Sequence, residues 1–409
     1  MKETILTQAA ICMWGPLAIS ALLAASPAWA QKAYGPGVSD SEIKLGQSTP
    51  LSGPASAFGA GAGRAVVGYF EMLNAQGGVN GRKINFTQFD NAYSAPKAVE
   101  QSRRLVEDVG VLAEIGTIGT APNVAIQKYL NSKQVPQLFI TAGGRRFNDP
   151  KTFPWTVPLY PDFETEGRVV AKYILKARPD AKIGVFYQND DFGKDYVRGL
   201  RAGLGAKASQ IIAEASYELA DPTIDSQIVQ LKAAGVDTLI EQSAAKAAAQ
   251  SIRKVHELNW SPLHIIGASS ASVETVLKPA GLEASKGLVT TQFLKQPGDP
   301  AWANDEEVKA YKDFLKTYAP SANADDYSVL VAYMNVNAVT LALKKCGDQL
   351  TRENLIRQAT SLDGARIPMM LPGITISTHP GDYTPFRTLR IATFDGGSWT
   401  LSGDPMSAE

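Results

Sequence analysis

The chain has 409 residues, which at roughly 100–200 residues per domain allows two or three domains. Hydrophobic residues make up 44% and charged residues 20%, the range of a folded globular chain. Lys plus Arg (40) balances Asp plus Glu (40), so composition argues against nucleic-acid binding, a fibrous chain and a multi-span membrane protein.

Residues 1–30 stand apart. Lys2 gives a short basic start, weakened by Glu3, and the run from Ile11 to Ala25 is almost wholly apolar. Pro27 ends that run, and Ala28-Trp29-Ala30 before Gln31 has the small-x-small pattern of a signal-peptidase site. The run is shorter than the roughly 18–20 residues a membrane span prefers, so the expectation is secretion with cleavage after Ala30 and no stable membrane insertion. No Cys follows the small residues, which argues against a lipid anchor. Cleavage removes Cys12 and leaves Cys346 alone, so no intramolecular disulfide is expected. Cys346 lies in an apolar helical pattern and reads as a small core residue.

Strands and helices then alternate. Ile43–Gln47 reads as a strand, broken by Ser52-Gly53-Pro54. Ala65, Val66, Tyr69, Phe70 and Leu73 mark one apolar helix face, stopped by Gly77-Gly78. Ile84, Phe86 and Phe89 mark a second strand. Ser94-Ala95-Pro96 opens a helix whose buried side is Val99, Leu105 and Val106. Residues 111–115 and 137–140 are the third and fourth strands, separated by a helix around Val124 to Leu130. A second series starts near Asp162, with strands at 182–187, 211–212, 237–240 and 264–266 and helices between and after them, the last over 273–277. Such alternation predicts an α/β fold of two doubly wound parallel-sheet lobes. Ligands in such sheets sit beyond the carboxyl ends of the strands. That selects the loops at 49–60, 91–95, 117–123, 141–148, 188–193, 242–245 and 268–272.

Reactive constellations are scarce. His256, His264 and His379 lie apart from one another and from Cys, so no zinc spacing exists. No G-x-S-x-G elbow occurs, and Gly193-Lys194-Asp195 lacks the upstream glycine of a phosphate loop. Gly59-Ala60-Gly61-Ala62-Gly63-Arg64 is only a loose dinucleotide fingerprint inside a helix start; close helix packing explains it as well. No cofactor, no metal and no catalysis are expected.

Pro50-Leu51-Ser52-Gly53-Pro54, Phe58-Gly59, Asn74-Ala75-Gln76-Gly77-Gly78-Val79-Asn80-Gly81-Arg82 and Asp90-Asn91 together resemble the start of the leucine/isoleucine/valine-binding family. Gly116–Thr120, Asp149-Pro150, Asp191-Phe192-Gly193 and Gly267-Ala268-Ser269 fall where that family has its cleft loops, so the resemblance spans about 41–400. It implies a periplasmic solute receptor of an ABC importer, with the type I bilobed fold and a three-segment hinge. The implied lobes are 31–160 with 291–372, and 161–290 with 373–409. The implied partners are a small solute (an amino acid or organic acid), the ABC permease and its ATPase subunits. A ligand sensor on the same fold, without transport, is the alternative.

The resemblance also implies a set of cleft residues. Family members hold an α-carboxylate with hydroxyls and main-chain N–H groups, which places Thr120, Ala121, Gly143, Gly144 and Arg145 at the ligand. They hold the α-ammonium with an acidic residue just after the Gly267 strand, where this chain has Ser269. Leaving a buried ammonium unpaired costs roughly 3–5 kcal/mol. Arg145 offers a planar fork for a carboxylate, and Phe58, Tyr93 and Tyr160 are aromatic candidates. Each has a plainer reading: Arg145 as a solvated loop charge, Phe58 as a core plug, Ser269 as a helix cap. The expected solute is an organic acid, aromatic or aliphatic, with a branched-chain amino acid as the second choice.

Overall fold

The structure, a computed structural model, describes residues 32–409 except Pro54. The expected signal peptide and its cleavage point lie outside the described residues. In chain order the first series is β1 (Ala33–Tyr34), β2 (Glu42–Thr49), α1 (Ser56–Ala75), β3 (Lys83–Asp90), α2 (Ala95–Arg103), β4 (Ala113–Ile115), α3 (Thr120–Ser132), β5 (Gln137–Ile140) and β6 (Thr156–Pro158). Strands β2 to β6 are parallel and lie in the order β3-β2-β4-β5-β6. Strand order reverses at β2, so a crevice opens at the carboxyl ends of β2 and β4. The apolar face of α1 is buried as its spacing predicts: Ala65, Val66, Tyr69, Phe70 and Leu73 are at most 6% exposed.

The second series is α4 (Phe163–Ala177), β7 (Ile183–Gln188), α5 (Asp191–Leu204), β8 (Ile211–Tyr217), α6 (Asp225–Ala233), β9 (Thr238–Gln242), α7 (Ala245–Glu257), β10 (Leu263–Ile266), α8 (Lys278–Ala280), α9 (Leu282–Ser285) and β11 (Val289–Gln292). The chain then returns to the first lobe. There α10 (Glu306–Tyr318) and α11 (Tyr327–Cys346) pack against α1, β12 (Gln349–Leu350) pairs with β1, and α12 (Arg352–Ala359) packs on α11. Helix α11 is buried nearly all round, and Cys346 is a core residue whose thiol burial pushes up to about 12. Beyond Pro372, where the resemblance places the last crossover, Ile376 pairs with Ala365 and the Thr378 hydroxyl donates to Ala359 O. Finally β13 (Thr388–Phe394) and β14 (Trp399–Ser407) complete the second sheet, in the order β14-β13-β11-β10-β9-β7-β8.

Two features depart from the expected pattern. The second sheet is mixed: β13 runs antiparallel to β11, and β14 antiparallel to β13. The turn Asp395–Ser398 is too short for a crossover, and Asp395 pins it by accepting from the Gly397 and Ser398 N–H groups. The helix expected at 273–277 is instead a wide π-type turn running into the short α8. Pro279 has no N–H to offer there, which removes an i→i−4 bond. The lobes join through packed rings at the crossovers, with Tyr160 to Phe293 at 5.8 Å and Phe293 to Phe386 at 4.9 Å.

Candidate ligand-binding cleft

The carboxyl ends of the two parallel sheets face one another, and the turns leaving them aim helix N-termini into the gap. Three of these helices are capped by aspartate. Asp162 accepts from Thr165 N–H at 3.0 Å, Asp190 from Phe192 N–H at 3.0 Å, and Asp326 from Ser328 N–H at 2.9 Å. An aromatic ring follows each cap in the first turn: Phe163 on α4, Phe192 on α5 and Tyr327 on α11. The caps therefore fix where three rings enter the cleft. Burial raises the carboxyl of Asp162 and of Asp326 to about 6, and raises Asp190 as well. By contrast α1, α3 and α7 have Ala55, Gly119 and Ala244 at the cap position, none with a side-chain oxygen of its own, though the Thr120 N–H meets the Tyr93 hydroxyl and the Ser56 N–H donates to Gly53 O.

The cavity so formed leaves about 70 Å³ open to the centre of a water molecule. Its walls are largely apolar: Phe58, Ile118, Phe163, Phe192, Leu219 and Val331, with the rings of Tyr93, Tyr160 and Tyr327. Polar groups come from Thr120, Thr141, Gln188, Ser269, Ser328 and the tyrosine hydroxyls. Among the described residues, no Asp, Glu, Lys, Arg or His lines it. Nor, among them, does any group of three His, Cys, Asp or Glu side chains stand where it could hold a metal ion.

Of the residues singled out from the sequence, Phe58, Tyr93, Thr120, Tyr160 and Ser269 meet at this cavity. Phe58 packs on the first-lobe core and on the second-lobe cluster of Ala245, Ala248 and Ile252, so it bridges the gap. The ring of Tyr93 packs close against Gly119: a Cβ added there would stand 2.2 Å from Tyr93 Cε2, and Gly119 has φ 99°. The Tyr93 hydroxyl is set against the Thr120 backbone and the Gln188 side chain, and burial raises its pKa.

The remaining candidates lie elsewhere. Ala121 is half-buried in the first turn of α3 and does not line the cavity. Gly143 and Gly144 stand behind the wall; a Cβ on Gly143 would meet Pro161 O at 2.0 Å, so their role is close packing. The placement of Arg145 inside the cleft is corrected. Its side chain is 67% exposed, with the guanidinium 3.7 Å from Glu164. The cause is the tight turn Arg145–Phe147, which buries Phe147 completely and so turns Arg145 outward. Sequence reading did not single out Phe163, Leu219 or Tyr327, and it placed Phe192 only within a cleft loop. Asp-Phe, Asp-Asp-Phe and Asp-Tyr at helix starts were the available signal for three of them.

The lobes are closed on one another at the cleft rim. Arg145 N–H donates to Asp195 Oδ2 at 2.8 Å, carrying a first-lobe loop onto α5. Arg146 stands 3.5 Å from Asp191 beside it.

Comparison with known proteins agrees with this architecture. A family model described as periplasmic binding protein matches residues 42–398, and the chain belongs to that family. A curated relative, Leu/Ile/Val-binding protein homolog 7 of Brucella suis biovar 1, is 26% identical over 341 residues, covering 80% of this chain and 81% of the relative. Among solved structures, a branched chain amino acid ABC transporter protein from Thermus thermophilus with bound valine superposes with TM-score 0.79 at 18% identity, covering 90% of this chain and 97% of that one. A fatty acid ABC transporter substrate-binding protein from Thermomonospora curvata superposes with TM-score 0.72 at 22% identity, covering 92% and 95%. At these identities the structural likeness establishes the shared two-lobed α/β fold.

Proposed function

We propose that this protein is the periplasmic solute-capturing component of an ABC importer, and that its solute is a small organic carboxylate with an apolar, aromatic-sized body. The observation that carries the reading is a cavity walled by rings, lined by no charged side chain among the described residues, and faced by the N-termini of α1, α3 and α7, whose cap residues carry no side-chain oxygen. Helix N-termini carry partial positive charge and free N–H donors, which favour an anion. The hydroxyls of Thr120 and Ser269 add donors. An α-ammonium beside Thr120 meets helix N-termini and no lining carboxylate, and the buried Glu166 beside Ala268 is already held by the Ala268 N–H and the Thr291 hydroxyl, which disfavours a zwitterionic amino acid. The solute binds between the lobes and the closed form is presented to the permease, because only the closed form makes contacts from both sides.

The names of similar proteins favour a second reading, in which the solute is a branched-chain amino acid. Titration calorimetry separates the two. Benzoate is expected to bind at least tenfold more tightly than leucine. Leucine binding as tight as benzoate, or tighter, contradicts the carboxylate reading.

A further inference from the structure

The two-lobed cavity has a second polar end. Tyr160 and Tyr327 are 5% and 3% exposed, and their hydroxyls find only one another as side-chain partners among the described residues, while the enclosed Ser269 Oγ has none. The rings of both tyrosines pack edge-on to Phe293, so their orientations are fixed by the hinge. Their hydroxyls are near enough to influence one another, and both feel Glu166. Glu166 is itself fully buried. Its Oε1 accepts from Ala268 N–H at 2.7 Å and from the Thr291 hydroxyl at 2.6 Å, while Oε2 has no partner among the described residues. Ala268 is the chain neighbour of Ser269, which lines the same cavity as both tyrosines.

Buried polar groups in native proteins are almost always satisfied. A cluster on a ligand cavity in which Ser269 Oγ and Glu166 Oε2 have no partner among the described residues is therefore best read as waiting for ligand atoms. It also has a place relative to Thr120. Thr120 follows β4 and Tyr160 follows β6, with β5 between them in the sheet. Two strand spacings set these positions about 10 Å apart. That span suits one rigid ring with a hydrogen-bonded group at each end.

We infer that the solute is a hydroxylated aromatic acid, its carboxylate at Thr120 and the N-terminus of α3, its hydroxyl between Tyr160 and Tyr327. The inference rests on the reading of the cavity as a carboxylate site. A hydroxyl suits the cluster because it both donates and accepts. Burial holds both tyrosine hydroxyls well above their usual range, so they stay protonated and able to donate. Sites that hydrogen-bond a substrate hydroxyl reject the analogue lacking it far more strongly than apolar pockets reject a missing methylene.

The test is calorimetry of the purified protein with 4-hydroxybenzoate, 4-methylbenzoate and benzoate. The methyl compound matches the hydroxyl compound in size and lacks the donor. The expected result is at least tenfold tighter binding of 4-hydroxybenzoate than of 4-methylbenzoate. Tyr160→Phe and Tyr327→Phe should each shrink that preference. Equal or tighter binding of 4-methylbenzoate overturns this inference and leaves the carboxylate reading standing. Binding of none of the three overturns both.

Discussion

Asp195→Ala is expected to weaken solute binding by about 30- to 100-fold while leaving each lobe folded. Asp195 is 5% exposed on α5, and it helps tie the loop after β5 to the second lobe. Its Oδ2 accepts the Arg145 N–H across the gap, and its Oδ1 accepts from Arg198 at 2.5 Å. A hydrogen bond to a charged group contributes about 1.5–3 kcal/mol, far more than the exposed Arg146–Asp191 pair beside it. The bond forms only when the lobes meet, so its loss lowers the closed population. Apparent affinity falls by the same factor. Calorimetry reads the affinity, and small-angle scattering of the solute-free variant should show a larger radius of gyration. Unchanged affinity and unchanged scattering would contradict the closure role. The expected outcome for Arg145→Ala is milder, since the bond uses its backbone N–H and its side chain is solvated.

Glu114→Gln is expected to stabilise the protein by about 3 kcal/mol above pH 7 and by almost nothing below pH 4.5. Glu114 lies on β4 with no exposure, its Oε1 accepting from the Thr117 hydroxyl at 3.1 Å. Burial raises its carboxyl from 4.5 to about 7, partly offset by Ser102, Thr117 and the Ser48 backbone. The folded state therefore keeps a proton that the unfolded chain releases. Its contribution to stability is whole below pH 4.5 and is lost as pH rises to about 7. Gln is a neutral isostere whose amide N–H can donate to the Ser102 hydroxyl, so the variant has no such loss. Urea unfolding at pH 4.5, 6 and 8 should show the variant's advantage growing with pH. A difference that stays flat across that range, or favours the wild type at pH 8, would refute the assignment.

The sequence carried the βα alternation well, because parallel strands buried on both faces read as apolar runs and their helices as one-faced patterns. It also pointed to the carboxyl ends of the strands, and Phe58, Tyr93, Thr120, Tyr160 and Ser269 line a cavity there. What it hid has local causes. Strand β6 has three residues, too few for a period to show. Strands β13 and β14 were unread, although Asp395-Gly396-Gly397-Ser398 is a hairpin signal. Phe163, Phe192 and Tyr327 look like ordinary core residues at helix starts; only the facing lobe turns them into cavity walls. Arg145 misled because sequence does not say which residue of a three-residue turn points inward. Phe147 has the stronger claim, since burying it removes a large apolar ring from water.

The absence of a charged wall also bears on specificity. An apolar cavity with donors only at its ends cannot rely on an ion pair, so selectivity must come from ring fit and from hydroxyl partners. Introducing an acid at Ser269 should then lower affinity for benzoate through like-charge repulsion, and raise that for leucine by supplying the missing partner for its ammonium.

The most direct test of the central claim is native mass spectrometry of the purified protein mixed with equimolar 4-hydroxybenzoate, benzoate and leucine. The prediction is a 1:1 adduct with the mass of one of the two acids and no leucine adduct. A 1:1 leucine adduct that persists while both acids are present would contradict it.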